Sequence, residues 1–179
     1  MIKAISDSFK NLSLKSSFLL TLFLLLGVLS SGVFAIPVES DDKRFLDNGD
    51  GTITDVEKNI MWTKTDTMND LKKWCCYQDC LDYVRHLREN NFAGYDDWRL
   101  PTVHEASSIF DKEKLNKDFK GSDIHLDSVF PPGAGNCTWT SSTRGNEAQI
   151  LFYMNGCAYW YGKDDQTISH GVRLVRRDN

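Results

Sequence analysis

The sequence predicts an α+β domain: two helices packed on a small, mostly antiparallel sheet. Helical spacing of apolar residues is confined to the stretch between Asn69 and Phe110, and short alternating segments bounded by Gly, Asn and Asp steps dominate after Pro131. Two helices followed by a run of strands, with no strand–helix alternation, argue against a parallel α/β sheet.

The chain of 179 residues opens with Lys3, Lys10 and Lys15 and then an almost wholly apolar run from Phe18 to Leu29. Val33-Phe34-Ala35 offers small residues where a signal peptidase reads, so residues 1–35 are expected to be a secretory signal. The run from Phe18 to Ile36 also has the length of a bilayer span, which keeps an uncleaved N-terminal anchor as the alternative. Residues 36–42 read as a polar, acidic linker, and 43–177 as one domain.

Within that domain, Lys43–Leu46 and Thr52–Thr54 read as strands joined by Asn-Gly and Asp-Gly steps, which tolerate positive φ. Ile60–Thr63 is a third short strand. From Asn69 to Glu89, Leu71, Trp74, Leu81, Val84 and Leu87 recur at spacings of three, seven, three and three, predicting one helix with one buried face. A second helix is expected over Val103–Phe110, because Thr102 and Glu105 have the form of a capping box. Asp111–Gly121 is charged and aperiodic, a surface loop. Strands follow at Cys137–Ser142, Ala148–Met154 and Ala158–Tyr161, with Asn155-Gly156 as a turn, and His170–Val175 closes the sheet.

Composition narrows the function classes. Losing residues 1–35 removes three lysines and Asp7, moving the formal charge from −4 to −6. An acidic module has no general attraction for nucleic acid, heparin or anionic lipid. All five cysteines (75, 76, 80, 137 and 157) lie in the exported part, where disulfides persist. Cys137 and Cys157 flank a predicted strand pair and are the first candidates for a bridge. One or two of the other three can instead reach across to the sheet. Cys76 and Cys80, one helical turn apart, are awkwardly placed for a bridge of their own. Zinc is disfavoured, because Cys-Cys-x-x-x-Cys has no second ligand pair and His86, His104, His125 and His170 are scattered.

The most informative run is Asp97-Trp98-Arg99-Leu100-Pro101-Thr102. Pro101 holds the chain extended before the Thr102 cap, and Trp98 beside Arg99 reads as a stiff, partly buried corner rather than as chemistry. Four segments in order resemble the Lcl C-terminal domain family, named for the tail of Legionella collagen-like adhesins. They are Asp47-Asn48-Gly49-Asp50-Gly51-Thr52 leading to Ile60-Met61-Trp62; Gly94 through Thr102; Trp139-Thr140-Ser141-Ser142; and Val172-Arg173-Leu174-Val175-Arg176. The resemblance covers about residues 43–177. It implies a C-type-lectin-like fold and a role at the bacterial surface or outside the cell, and it implies no reaction. Many members carry a cysteine in the first helix and another in the closing strand. Val84 and Leu174 stand at what look like those positions, an apolar contact in place of a disulfide.

Candidate sites follow. The aspartates of 47–55 attract the thought of calcium, but an EF-hand needs oxygens where Gly49 and Gly51 stand, so a hairpin is preferred. The Glu-Pro-Asn and Gln-Pro-Asp tripeptides of calcium-dependent sugar binders do not occur. Asp96, Asp97 and Glu105 make a poor acid–base set, since a capping glutamate already has a partner. The formylglycine-generating oxidases share the lectin-like fold, but their catalytic segment finds no match here, so that analogy rests on fold alone. Aromatics crowd the C-terminal strands, with Tyr159 and Tyr161 on one face and Trp160 on the other. With Lys163, Asp164, Asp165 and Gln166 they form the expected binding surface. Trp98, Arg99, Pro101, Thr102, Glu105 and Trp139 are expected to be structural. The expectation is an exported, non-catalytic module, secreted or periplasmic, without cofactor or metal, meeting a glycan or an envelope protein and no nucleic acid. It touches a membrane only through an uncleaved N-terminus. A structural or protein-binding envelope role is the alternative, and an oxidase of the formylglycine-generating type the weaker one.

Overall fold

The computed structural model describes residues 36–165 and 170–177; the expected signal segment 1–35 and Gln166 lie outside them. The architecture is mixed α+β and mostly sheet. A five-stranded antiparallel sheet runs β1 (Val38–Glu39), β2 (Phe45–Asp47), β3 (Thr52–Asp55), β4 (Ile60–Thr63) and β11 (Val175–Arg177). A second sheet is ordered β10 (His170–Gly171), β7 (Cys137–Arg144), β8 (Glu147–Phe152), β9 (Ala158–Gly162), with only the β10–β7 pair parallel. β5 (Asn116–Lys117), inside the expected Asp111–Gly121 loop, and β6 (Asp123–Ile124), just beyond it, form a small ribbon. The helices are α1 (Thr67–Leu71), α2 (Tyr77–Glu89) and α3 (Val103–Ser108).

Three elements differ from the sequence reading. The expected linker supplies β1, in which Val38 and Glu39 pair with Asp47 and Leu46. The single helix from Asn69 is two. Asp66 caps α1, and Lys72 ends it in the left-handed conformation at φ 54°. The break puts Leu71, Trp74 and Leu81 in partial contact with solvent, and the buried face becomes Tyr77, Cys80, Tyr83, Val84 and Leu87. The closing strand is also two: His170–Gly171 joins one sheet and Val175–Arg177 the other.

The four-stranded sheet is covered on both faces. On β8, Ala148 and Ile150 point into a core with Tyr77, Cys80, Leu87, Trp98 and Trp139, and Leu151 points into the other core with Ile53, Trp62, Ile109 and Phe130. This is the period-two alternation of a strand buried on both sides. Val84 and Leu174 belong to the same first core, as an apolar replacement for a bridge requires.

The expected Cys137–Cys157 disulfide does not form, and no disulfide joins any two cysteines among the described residues. Cys137 starts β7 on the buried face, where its partner across the ladder is Phe152. Cys157 lies beyond β8 in an exposed turn, its amide held by Asn155 Oδ1 at 3.0 Å. Flanking a strand pair in sequence is not the same as facing across it.

Between β10 and β11 the chain crosses from one sheet to the other, buried and outside any ladder. Its amides are taken by threonine hydroxyls: Val172 N–H donates to Thr67 Oγ1 at 2.9 Å, Arg173 to Thr138 Oγ1 at 3.3 Å, and Leu174 to Thr63 Oγ1 at 3.0 Å. Thr67→Val keeps the shape and leaves the Val172 amide buried without an acceptor. Urea unfolding should show a loss of about 1–3 kcal/mol, with Thr67→Ser largely restored. A valine variant as stable as the parent would mean that this hydroxyl is dispensable.

Candidate functional site

The corner around Trp98 is built from its hydrogen bonds outward. Trp98 is fully buried, its indole N–H donates to the Phe92 carbonyl at 3.0 Å, and its own carbonyl accepts Arg88 Nε at 2.6 Å. The Phe92 and Tyr95 rings flank it at 5.7 and 6.4 Å. Arg99 exchanges both backbone hydrogen bonds with Val175, at 3.0 and 2.9 Å, so the corner continues the closing strand. Its guanidinium forks onto Glu105 at 2.8 and 2.7 Å. Glu105 also accepts the Thr102 amide at 2.7 Å, while Thr102 Oγ1 accepts the Glu105 amide at 3.1 Å, the full reciprocal capping box. Pro101, which has no N–H to place, accepts Ser141 N–H at 2.8 Å and ties the corner to β7. Trp139 is fully buried, its Nε1 donating to the Cys75 carbonyl at 2.9 Å. The side chains of Trp98, Arg99, Thr102, Glu105 and Trp139 and the Pro101 carbonyl all have hydrogen-bond partners within the fold.

The acidic hairpin is equally occupied. Asp47 pairs with Lys64 at 2.5 Å, Asp50 accepts from the Thr52 amide at 3.0 Å, and Asp55 is bound by Arg44 at 2.6 Å. No group of three or more His, Cys, Asp or Glu among the described residues is placed to hold a metal ion.

The aromatic strand β9 is the outer edge of its sheet, paired on one side only, to β8. Tyr159 and Tyr161 share a face, opposite Ile150 and Ala148. Tyr161 is half-buried at the rim of the first core, between Phe152 at 6.0 Å and His170 at 5.7 Å. Tyr159 is 50% exposed. Trp160 lies on the other face under the Arg144 guanidinium, 4.3 Å from the ring centre. Lys163 is drawn inward: Nζ donates to the Gly145 carbonyl at 2.8 Å and stands 5.6 Å from the Tyr77 ring centre. The Asp165 amide closes the turn on Gly162 at 3.0 Å, and Asp164 is exposed. A shallow cleft of about 310 Å³ links Lys163 and Asp164 to Asn146 and to Cys76, Tyr77 and Gln78 at the start of α2. Of the expected binding residues, Tyr159, Trp160 and Asp164 therefore offer accessible surface, and Tyr161 and Lys163 support them.

One site has no signature in the sequence. An open cleft of about 550 Å³ beside α3 is lined by Lys58, Asn59, Ile60, His104, Glu105, Ser108 and Arg177. Glu105 is already paired with Arg99, which leaves Lys58, His104 and Arg177 to set the character of the cleft. They come from three distant segments: β11 pairs with β4, which joins Arg177 to Lys58, and the Arg99–Val175 bridge leads to α3 and His104.

Two stability tests follow from the corner. Trp98→Ala should cost about 3–5 kcal/mol in chemical denaturation, as removal of a buried large aromatic does. An unchanged melting temperature with lost ligand binding would show that Trp98 acts on a ligand. Arg99 beside Glu105 holds its carboxyl at about 2, below the ordinary 4.5. The stabilisation is thus complete above pH 4.5 and disappears as pH falls through about 2. Because the pair is partly solvated, Glu105→Gln should cost about 1 kcal/mol at pH 7 and almost nothing at pH 2. Equal cost at both pH values would break this assignment.

Among the described residues, no helix is long and apolar enough to cross a membrane. No curated protein matches the chain. The model of the Lcl C-terminal domain matches residues 51–176, which take in the four-stranded sheet, all three helices, the Trp98 corner and the five-stranded sheet from β3 onward. On that match the chain belongs to the Lcl C-terminal domain family.

Proposed function

We propose that this protein is an exported, non-catalytic binding module of the bacterial envelope or the extracellular space. Its domain is of the C-type-lectin-like kind, and it recognises a glycan or an envelope protein through the β9 edge. The observation that carries this reading is the placement of Tyr159 and the Arg144–Trp160 stack on a sheet edge that pairs with no further strand among the described residues. Aromatic rings held this way stack on sugar faces or anchor a protein loop at little cost in side-chain entropy. The family's association with adhesins supports the location, and the engaged state of Asp97 and Glu105 supports a binding role over acid–base chemistry.

A second reading rests on the cleft beside α3. Lys58, His104 and Arg177 there offer a local cationic site on a chain of net charge −4. Such a site suits a single anionic group, a sulfate or carboxylate on a glycan, with no diffuse attraction for polyanions.

The test is a glycan panel that includes sulfated polysaccharides, run with and without calcium and at low and physiological salt. Saturable binding that survives physiological salt is expected. Tyr159→Ala should weaken it about tenfold, as loss of an aromatic anchor does, and leave the melting temperature within 1–2 °C, roughly the span of a neutral surface change. Loss of binding on Lys58→Ala or Arg177→Ala instead, with Tyr159→Ala neutral, would transfer the site to the α3 cleft. Silence across a panel with working controls would move the function to a protein partner.

A further inference from the structure

Helix α2 starts in a way that brings two thiols together. Its N-cap is Cys76, and the Asp79 carboxylate accepts the Cys76 amide at 3.1 Å. In a helix start of this form the residue before the cap and the fourth helical residue meet across the first turn, usually as an apolar pair. Here those residues are Cys75 and Cys80. Both are buried, at 1% and 0% exposure, in one core cluster, and the Cys75 thiol donates to the Lys73 carbonyl at 3.8 Å.

The backbone fixes this meeting. Cys75 N–H donates to the His170 carbonyl at 3.1 Å, and the Cys75 carbonyl accepts Trp139 Nε1 at 2.9 Å. On the other side, Cys80 is held by its helix, whose Tyr77, Val84 and Leu87 are buried in the same core. The remaining cysteines are placed differently. Cys76 is half-buried at the cap, Cys137 starts β7, and Cys157 is exposed in its turn.

We propose that Cys75 and Cys80 form a dithiol that closes to a disulfide across the first turn of α2. The oxidant is a thiol–disulfide exchange partner such as oxidised glutathione. The Cys75 thiolate attacks one glutathione sulfur and releases the first glutathione thiolate. Cys80 then gives up its proton, and its sulfur attacks Cys75 in the mixed disulfide and expels the second glutathione. The protein loses two protons and two electrons, one S–S bond forms, and the donor disulfide is reduced to two thiols. In the closed turn, Cys80 beside it brings the Cys75 thiol down to about 7, while burial pushes Cys80 up. Because both sulfurs are buried, exchange takes place while the first turn is open during folding, and the closed bond is then shielded from reductant. This pairing is independent of which ligand the domain recognises.

The full chain is refolded in a reduced/oxidised glutathione buffer, denatured, and blocked with a first alkylating reagent. It is then reduced, labelled with a second reagent and read by peptide mass spectrometry. Intact mass before reduction separates a bridge, which loses two hydrogens, from a glutathione adduct, which gains the tripeptide. The expected result is a bridged species whose second label sits on Cys75 and Cys80, with Cys76 carrying the first. Cys76→Ser should keep the bridge and Cys80→Ala should abolish it. First label on both Cys75 and Cys80, or a bridge from either to Cys76, Cys137 or Cys157, would overturn the pairing.

Discussion

The rest of the structure depends on the three-residue crossing at Val172–Leu174. A buried segment outside every ladder carries amides that water cannot reach, and each unpaired one would cost free energy comparable to a lost hydrogen bond. Thr63, Thr67 and Thr138 resolve this from three different elements: the end of β4, the start of α1 and the first turn of β7. Arg173, at the centre of the crossing, adds the carbonyl side. Its Nη1 donates to the Thr63 carbonyl at 2.9 Å and also to that of Lys64, and its guanidinium lies 4.5 Å from the Phe130 ring centre. Burial pushes the Arg173 guanidinium down and the Asp66 carboxyl up, each opposed by the other's charge, while Asp66 accepts the Asn69 and Gly135 amides at 2.9 and 2.8 Å. One arginine thereby connects the two sheets and the cap of α1.

The Trp98 corner is the next layer of the same constraint. Once the crossing has delivered Val175 to the five-stranded sheet, Arg99 pairs with it on its free side, and Arg176 reaches Asp97 at 2.7 Å and lies 3.7 Å from the Tyr95 ring centre. The tryptophan is therefore a keystone in a mechanical sense: it fills the space under a strand junction, its indole N–H is spent on the Phe92 carbonyl and its own carbonyl on Arg88. That leaves recognition to surfaces the junction supports without consuming. The β9 edge stands on β8, which is buried on both faces, so its aromatics are presented from a rigid base. Rigid presentation lowers the entropy cost of ordering side chains on binding.

Much of this was legible in local chemistry and little of it in long-range terms. Ile60–Thr63, the Asn155-Gly156 turn and the Thr102–Glu105 box were readable because each is decided within about four residues. The opposed faces of Tyr159 and Trp160 were readable because strand alternation is strict. The break at Lys72 was not. Leu71 and Trp74 continue a helical spacing, and only the need to bring Cys75 to the His170 carbonyl forces the left-handed turn. The division of His170–Arg177 between two sheets was invisible for the same reason, since its apolar residues fit one strand as well as two. Lys58 and Arg177 share a cleft through the β4–β11 pairing, a contact more than one hundred residues apart in sequence, and His104 joins them on α3 after the Arg99–Val175 bridge.

The cysteines show how far spacing misleads when the covalent frame is uncertain. Val84 and Leu174, the positions that suit a helix-to-strand bridge, lie together in the first core as aliphatic residues. A bridge there would close a loop of about ninety residues, the kind that most restricts an unfolded chain. Its apolar replacement keeps the packing and gives up that restriction. The thiols of Cys75 and Cys80 sit in the same core but close only a short loop, so a bond between them would do a different job. It would set the entry angle of α2 where the Cys75 backbone meets Trp139 and His170. Global covalent restraint is thus replaced by apolar packing, the threonine-capped crossing and the buried Arg173 guanidinium on the Thr63 and Lys64 carbonyls. That is consistent with how many polar groups this fold commits to a single strand junction.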